Sequence, residues 1–191
     1  MAETTTPDKP LRADARRNRA RVLEAAEAAF SAEGMAVPLD EIARRAGVGA
    51  GTVYRHFPTK EALFEAVIHD RIRRLTEDAR ALAETEQPGQ AFHAFLARVV
   101  EQAMLNKALC DALETAGTPV KPHGAEGDIW DAFDAVLAAA QRAGTVRADI
   151  DLFDLRAVLS GALTMERRVR EGGRPAGRMT EILLDALRPR S

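Results

Sequence analysis

The sequence predicts an all-α fold divided into two helical domains. Alanine is abundant whereas valine, isoleucine, threonine and tyrosine are sparse, and this balance favours helix over strand. Apolar residues recur at i, i+3, i+4 and i+7 along most of the chain, which is the spacing of one helix face. Glycine and proline cluster between these stretches, where they end helices and form turns. A chain of 191 residues can bury a sizeable core in one or two domains.

The chain begins with a polar, threonine-rich segment. We expect residues 1–12 to be a disordered tail because they have little apolar surface to bury. The first helix is predicted from Asp14 to Glu33, and Gly34 ends it. Its apolar stripe consists of Val22, Leu23, Ala26, Ala29 and Phe30. Four arginines crowd its beginning, where cations oppose the helix dipole: Arg16, Arg17, Arg19 and Arg21.

Two short helices joined by a glycine turn come next. The first has one apolar face, formed by Leu39, Ile42, Ala43 and Ala46. Gly47 follows it at the position where a left-handed residue ends a helix. The second helix is predicted from about Ala50 to His56, and Pro58 stops it. Such a pair is a helix-turn-helix, in which the second helix enters the major groove of DNA.

The glycines of this turn allow another interpretation, as part of a dinucleotide-binding fingerprint. Gly47, Gly49 and Gly51 form G-x-G-x-G. The fingerprint requires a strand before it and a third glycine three residues after the second. Here a helical pattern precedes the glycines and residue 52 is threonine, so the context argues against a nucleotide site.

The rest of the chain also reads as helices. A long helix opens at Thr59, a suitable N-cap, and continues to about Ala83. Gln87-Pro88-Gly89 interrupts the chain. Further helices are predicted over residues 90–109, 128–143, 152–170 and 176–188, with a short segment reaching Ala116 and a loop over 117–127. Asp128 and Asp151 are expected to cap two of these helices.

Charge is distributed unevenly along the chain. Between Arg12 and Lys60, nine basic residues face six acidic ones, although the whole chain has a net charge of −2. A basic front and an acidic remainder suit a small DNA-binding domain joined to an acidic partner domain.

The sequence shows no pattern for catalysis or metal binding. The four histidines have no H-x-x-x-H spacing, the serines lie outside G-x-S-x-G, and no phosphate-binding loop occurs. We therefore predict no enzyme activity, no catalytic residue, no metal and no cofactor. Cys110 is the only cysteine, which excludes an internal disulfide and fits a reducing cytoplasm. We expect a cytoplasmic protein without a signal peptide or a membrane span.

The front of the chain resembles a known family. The resemblance rests on Arg19–Ala26, Phe30, Gly34, Ile42-Ala43, Ala46–Val48, Gly51–Phe57, Lys60-Glu61 and Leu63-Phe64. These residues resemble the DNA-binding domain of TetR-type repressors over about Ala13 to Ile68, and their core, Tyr54-x-His56-Phe57-x-x-Lys60-x-x-Leu63, is specific. The resemblance implies an N-terminal three-helix helix-turn-helix DNA-binding domain over residues 13–58. It also implies a C-terminal helical ligand-binding and dimerisation domain over residues 59–191.

This resemblance implies a set of DNA-binding residues. They are Arg16, Arg19, Gly49, Ala50, Gly51, Thr52, Tyr54, Arg55, His56 and Lys60. Tyr54, His56 and Lys60 are expected on the DNA backbone, and Thr52 and Arg55 on base edges. The family often has Ser or Thr near position 38 and Ser-Lys near positions 49 and 50, where this chain has Pro38, Gly49 and Ala50. That difference leaves backbone N–H groups as the contacts at the start of the second helix.

The resemblance further implies a homodimer and a small apolar or amphipathic effector. The expected ligand-binding residues are Phe92, His93, Phe95, Leu96, Val99, Gln102, Met104, Asn106, Trp130 and Phe133. The apolar members of this set could equally be ordinary core. The last two helices are expected to pair with their copies through small and apolar residues, namely Ser160, Gly161, Ala162, Leu155, Leu159, Leu163, Ile182 and Leu183. The alternative is that these faces belong to the core of one chain.

The sequence thus predicts a sequence-specific regulator of transcription. We expect a homodimeric repressor that is released from a palindromic operator on double-stranded DNA by a small-molecule effector. One alternative is a helix-turn-helix DNA-binding dimer without an effector, and another is a helical enzyme on the same fold.

Overall fold

The computed structural model describes residues 9–105, 125–173 and 177–189, and within these ranges the chain forms eight α-helices and no strand. The helices are α1 (Lys9–Glu33), α2 (Leu39–Ala46), α3 (Ala50–His56), α4 (Lys60–Thr85), α5 (Pro88–Leu105), α6 (Ala125–Arg142), α7 (Leu152–Glu171) and α8 (Arg178–Ala186). A 3-10 turn, Gly34–Ala36, follows α1. The prediction of an all-α fold is confirmed.

Glycines and polar caps end and begin the helices where the sequence indicates. Gly34 and Gly47 have φ angles of +69° and +62°, which glycine adopts without steric cost. The Thr59 hydroxyl accepts a hydrogen bond from the Ala62 N–H at 3.1 Å. Asp151 and Asp154 form a reciprocal capping box at the start of α7. These side chains bind N–H groups that a helix terminus would otherwise leave without partners.

Two helices begin earlier than expected because proline is tolerated in a first turn. α1 begins at Lys9 rather than Asp14, so the end of the predicted tail is helical. Pro10 lies in its first turn, where the missing N–H costs no helical hydrogen bond. α5 begins at Pro88 rather than Gln90 for the same reason.

α6 also begins earlier than expected. It starts at Ala125, so Asp128 lies inside the helix and is not its N-cap. Alanine and glutamate, the first two residues, are good helix formers, and a glycine such as Gly127 costs a helix only about 1 kcal/mol. The predicted short segment reaching Ala116 and most of the predicted loop lie outside the described residues.

The chain divides into two compact units, Met1–Asp70 and Arg71–Ser191. The core of the first unit consists of Val22, Leu23, Ala26, Ala29, Val37, Leu39, Ile42, Ala43, Ala46, Val53, Phe57, Leu63 and Val67. Phe30 and Phe64 pack beside it in an edge-to-face pair with ring centroids 5.5 Å apart. Because Leu63 and Val67 belong to this core, the unit continues into α4 beyond residue 58.

The core of the second unit is aromatic at its centre. The rings of Phe95 and Phe133 lie 4.6 Å apart, and Trp130 stacks on Phe133 at 5.2 Å. The Arg156 guanidinium lies 4.7 Å from the Trp130 ring centroid, a favourable cation–π distance. These contacts join α5, α6 and α7.

α7 carries apolar side chains on two faces. Leu155, Leu159 and Leu163 are fully buried in this chain, and so is most of Leu183 on α8. For these leucines the structure therefore favours the core alternative over the expected dimer face. The outer face of the two helices instead exposes four large apolar side chains: Phe153, Val158, Met165 and Ile182.

A buried carboxylate ties α7 to α8. Glu166 is fully buried, and it accepts hydrogen bonds from the backbone N–H groups of Gly177, Met179 and Thr180 at 2.8–3.1 Å. The N-terminus of a helix has free N–H donors and a positive dipole end. A side chain from the preceding helix thus caps α8.

Replacing this carboxylate should destabilise the second unit. Glu166→Gln removes the charge and turns an amide NH₂ toward N–H donors, so we expect a loss of about 1.5–3 kcal/mol in the free energy of unfolding. Urea denaturation followed by circular dichroism measures it. Glu171→Gln, an exposed position on the same helix, is the matched control and should change little; equal stability of the two variants would contradict the capping role.

Candidate nucleic-acid interface

The turn between α2 and α3 is closed by backbone hydrogen bonds. The N–H groups of Gly47 and Val48 donate to the carbonyls of Arg44 and Ala43, each at 3.1 Å. The Gly49 carbonyl then accepts the N–H of Thr52 at 2.9 Å and so starts α3. The prediction of a left-handed Gly47 is confirmed by its φ angle of +62°.

α3 has one buried face and one exposed face. Val53 is fully buried and Phe57, which follows the helix, is 4% exposed. Tyr54, Arg55 and His56 lie between them in sequence and are exposed, with Tyr54 at 46%. The helix therefore turns an aromatic, a guanidinium and an imidazole group outward.

The remaining predicted residues, at the start of α3 and just before it, are small. Gly49 and Gly51 are exposed, and Ala50 and Thr52 are half-buried. Their backbone can approach a ligand closely because no long side chain stands in front of it.

The arginines at the start of α1 have different surroundings. Arg16 is exposed, whereas Arg17 forms an ion pair with Asp14. The Arg19 guanidinium lies 5.6 Å from the Phe57 ring centroid. The structure thus brings Arg19 next to the end of α3.

Lys60 contacts the protein itself. It is half-buried, and its ammonium donates to the Met35 carbonyl at 2.8 Å. This bond links the start of α4 to the 3-10 turn. An ammonium has three N–H donors, so one bond to a carbonyl does not exhaust its capacity.

The arginines of α2 are engaged by acidic neighbours. Arg44 donates twice to Glu41 at 2.8 Å, and Arg45 donates to Glu41 at 2.7 Å and also pairs with Glu33. Hydrogen bonds from Arg44, which has the larger effect, and from Arg45 lower the pKa of Glu41 to about 2. The positive charge of α2 is therefore largely compensated within the unit.

This geometry coincides with two family matches. Residues 22–67 match the bacterial regulatory proteins of the tetR family. Residues 87–189, more than half of the chain, match the C-terminal domain of SbtR-like transcriptional regulators. The chain belongs to the TetR family.

Solved structures and curated proteins agree with this membership. A TetR transcription regulatory protein from Mycobacterium vanbaalenii is 50% identical, with 94% of this chain and 99% of that chain covered and a TM-score of 0.73. A TetR transcriptional regulator from Streptomyces coelicolor is 36% identical, with 91% and 99% covered and a TM-score of 0.72. An HTH-type transcriptional regulator of Mycobacterium tuberculosis is 30% identical over 102 residues, 52% of this chain and 50% of that protein.

The chain spans about half the length of the curated relatives it matches. The similarity to solved regulators, in contrast, extends over almost the whole chain. This TetR-family protein is therefore a transcriptional regulator with a DNA-binding helix-turn-helix.

The C-terminal unit of the TetR-family chain contains a cavity of about 640 Å³ between α5, α7 and α8. It is lined by Ala97, Val100, Glu101, Met104, Leu105, Arg170, Gly177, Thr180, Glu181 and Leu184. Met104 is the member of the predicted ligand-binding set that lines it. The large apolar members lie buried in the core: Phe92, Phe95, Leu96, Val99, Trp130 and Phe133. Asn106 lies outside the described residues.

Two polar members of the predicted set have buried atoms without a hydrogen-bond partner among the described residues. They are Nε2 of His93 and Oε1 of Gln102. Burial, followed by the nearby charge of Arg188, lowers the pKa of His93. Gln102 borders a separate polar cleft of about 290 Å³ with Arg71 and Arg98.

Two further observations concern other classes of site. In the part of the chain that the structure describes, no three His, Cys, Asp or Glu side chains gather where a metal ion could be held. No helix in the described ranges combines the length and apolar character that a bilayer span requires.

Sequence reasoning missed two long-range contacts. Arg21 binds the carbonyls of Ala46 and Gly47, and no local pattern relates residues 25 positions apart. Glu166 could have been noticed, because it follows Leu163 on the apolar stripe of α7, where a carboxylate is unusual.

The Glu41 pairs predict a pH dependence. A folded-state pKa of about 2 lies below the unfolded value near 4.3, so these pairs stabilise the fold above that value and lose their effect as the pH falls toward 2. Carboxyl ¹³C NMR should show Glu41 titrating with a midpoint of about 2.

The stability of variants provides a second measurement. The difference in unfolding free energy between the wild type and Glu41→Gln should be constant above pH ~5 and shrink toward pH 2. Glu24→Gln, at an exposed position of α1, controls for the change in net charge. A Glu41 midpoint near 4 would contradict the arrangement.

Proposed function

We propose that the chain is a homodimeric repressor that binds a palindromic operator and is released from it by a small amphipathic effector. The observation that carries this proposal is the two-sided character of α3. Val53 and Phe57 are buried in the core, and the three residues between them, Tyr54, Arg55 and His56, are exposed. A short helix held in this way can enter the major groove with its outer side chains toward the bases.

The outer residues divide into two roles. Arg55 carries a guanidinium that can bind guanine O6 and N7 in bidentate fashion, and Thr52 can bind several bases. The residues proposed to bind phosphates are Tyr54 and His56 of α3, Lys60 at the start of α4, and Arg16 and Arg19 of α1. The N–H groups of Ala50 and Gly51 open α3, at a helix terminus that suits a phosphate oxygen.

The outer face of α7 and α8 supports dimerisation. Phe153, Val158, Met165 and Ile182 are 45–61% exposed, and Gly161 stands among them without a side chain. Large apolar side chains exposed together on neighbouring helices can mark a protein interface. A two-fold interface uses the same patch on both subunits, and it would present two copies of α3 to a palindrome.

The cavity of the C-terminal unit supports an effector. Its volume of about 640 Å³ lies in the range of small-molecule sites. Val100, Met104 and Leu184 give it an apolar wall, and charged groups of Glu101, Glu181 and Arg170 lie at its border. α4 is one continuous helix from Lys60 to Thr85, so it provides a covalent link through which an effector could shift the population of DNA-binding states.

Selection of DNA from random duplexes tests the DNA-binding part. We expect a palindrome whose half-sites are about 10 bp, or a multiple of that, apart.

Two variants test the roles of single residues. Lys60→Ala should weaken binding to all sequences alike and lower the salt slope by roughly one, whereas Arg55→Ala should reduce discrimination at one base by about 1–3 kcal/mol.

The control for these DNA-binding variants is Arg142→Ala, an exposed arginine of the C-terminal unit. It should leave binding unchanged. Recovery of no duplex, or of a duplex without symmetry, would contradict the proposal.

Cavity-filling variants test the effector part. Three amphipaths of equal chain length but different head-group charge, namely decanoate, decanol and decyltrimethylammonium, can be added to the complex with the selected duplex. The one that fits should release the DNA, which fluorescence anisotropy measures. Val100→Trp should abolish this response and leave DNA affinity nearly intact, because Val100 lines the cavity.

Ala94→Trp is the matched control, since Ala94 is exposed on the same helix. It should respond like the wild type. If an amphipath binds the C-terminal unit and the operator affinity does not change, the two sites lack the reciprocal coupling that induction requires. That result would favour a regulator without an effector.

A further inference from the structure

Arg21 binds other groups than Arg17 and Arg19 of the same helix do. Its Nε donates to the Ala46 carbonyl at 2.9 Å, and its Nη2 donates to the carbonyls of both Ala46 and Gly47. The guanidinium thus reaches across 25 residues of sequence to the end of α2.

These carbonyls belong to the segment that determines the direction of α3. A helix C-terminus leaves carbonyls without intrahelical partners and carries the negative end of the dipole. The N–H groups of Gly47 and Val48 bind the carbonyls of Arg44 and Ala43. Arg21 binds two further carbonyls, those of Ala46 and Gly47, with both a charge and a forked donor geometry.

Gly47 is matched to this contact in two ways. Its φ angle of +62° is one that residues with a side chain rarely adopt. A Cβ atom at this position would also stand 2.7 Å from Arg21 Nη2. Glycine therefore allows both the turn and the close approach of the guanidinium.

We propose that Arg21 is a positioning residue for DNA recognition, whose guanidinium holds the α2–α3 turn and thereby the orientation of Tyr54, Arg55 and His56, instead of binding phosphate. This inference rests on the proposed DNA-binding function. It separates Arg21 from Arg16, which is exposed near the start of the same helix and is proposed as a phosphate contact.

The two roles differ in their salt dependence. Removing a phosphate contact lowers the salt slope by about one and weakens all sequences alike. Removing a positioning contact misaligns base readout, so it weakens the specific site and leaves the salt slope and non-specific affinity unchanged. Lysine keeps the charge but lacks the fork, so Arg21→Lys retains a phosphate contact and loses the grip on two carbonyls.

The experiment compares Arg21→Lys, Arg21→Gln and Arg16→Gln in the full chain. The probes are the duplex selected by the wild type and a random-sequence duplex of equal length, titrated at 50–200 mM salt. Both Arg21 variants should bind the selected duplex with an affinity lower by about tenfold or more, which is the scale of one charge-assisted hydrogen bond. Their affinity for the random duplex should fall by less than about twofold. Arg16→Gln should weaken both duplexes and lower the slope by about one.

Two results would overturn the proposal. The first is that Arg21→Lys binds the selected duplex as tightly as the wild type does, and the second is that Arg21→Gln shows the same pattern as Arg16→Gln. Gly47→Ala provides a second route to the same contact: it should weaken the selected duplex, and its effect should be less than additive with Arg21→Lys because both act on one contact. Full additivity would also count against the proposal.

Amide hydrogen exchange separates this inference from the proposed function, because it needs no DNA. In Arg21→Lys and Arg21→Gln, exchange at Gly47 and Val48 should accelerate while the thermal midpoint and the exchange of Val53 stay close to the wild type. Unchanged exchange at the turn would overturn the role of Arg21 even if the protein binds DNA. Failure of the wild type to select any duplex would instead refute the proposed function.

Discussion

The anchoring of α3 is the constraint on which the DNA-binding unit depends. A helix of seven residues is too short to be stable in water by itself. Its position therefore comes from Val53 and Phe57, which enter the core, and from the glycine turn ahead of it. Because both anchors lie on one face, the side chains between them are free to meet a partner.

Arginine serves two purposes in this unit. Some guanidinium groups bind the protein itself: Arg21 binds the α2–α3 turn, and Arg44 and Arg45 bind acidic neighbours. Others, such as Arg16 of α1 and Arg55 of α3, are exposed. A count of basic residues therefore overstates the charge that is available to DNA, since ion pairs and carbonyl contacts engage part of it.

The C-terminal unit combines a packed interior with surfaces suited to partners. Its aromatic centre joins α5, α6 and α7, and Glu166 of α7 caps α8 from inside the unit. The inner leucines of α7 fill this core, which leaves the outer side chains, such as Phe153 and Met165, exposed. The cavity lies beside the capped end of α8, where Gly177 and Thr180 contribute to its wall.

The sequence by itself determined the helical class, the helix-turn-helix, the left-handed Gly47 and the buried and exposed faces of α3, because these follow from periodicity and turn chemistry within a few residues. It could not decide whether the leucines of α7 face a partner or their own core, since an apolar stripe serves either purpose. Only the tertiary structure placed Arg21 on the turn and Glu166 at the start of α8, and it located the cavity away from most of the predicted aromatic wall. Contacts between residues distant in sequence depend on how helices pack, and no local pattern records that packing.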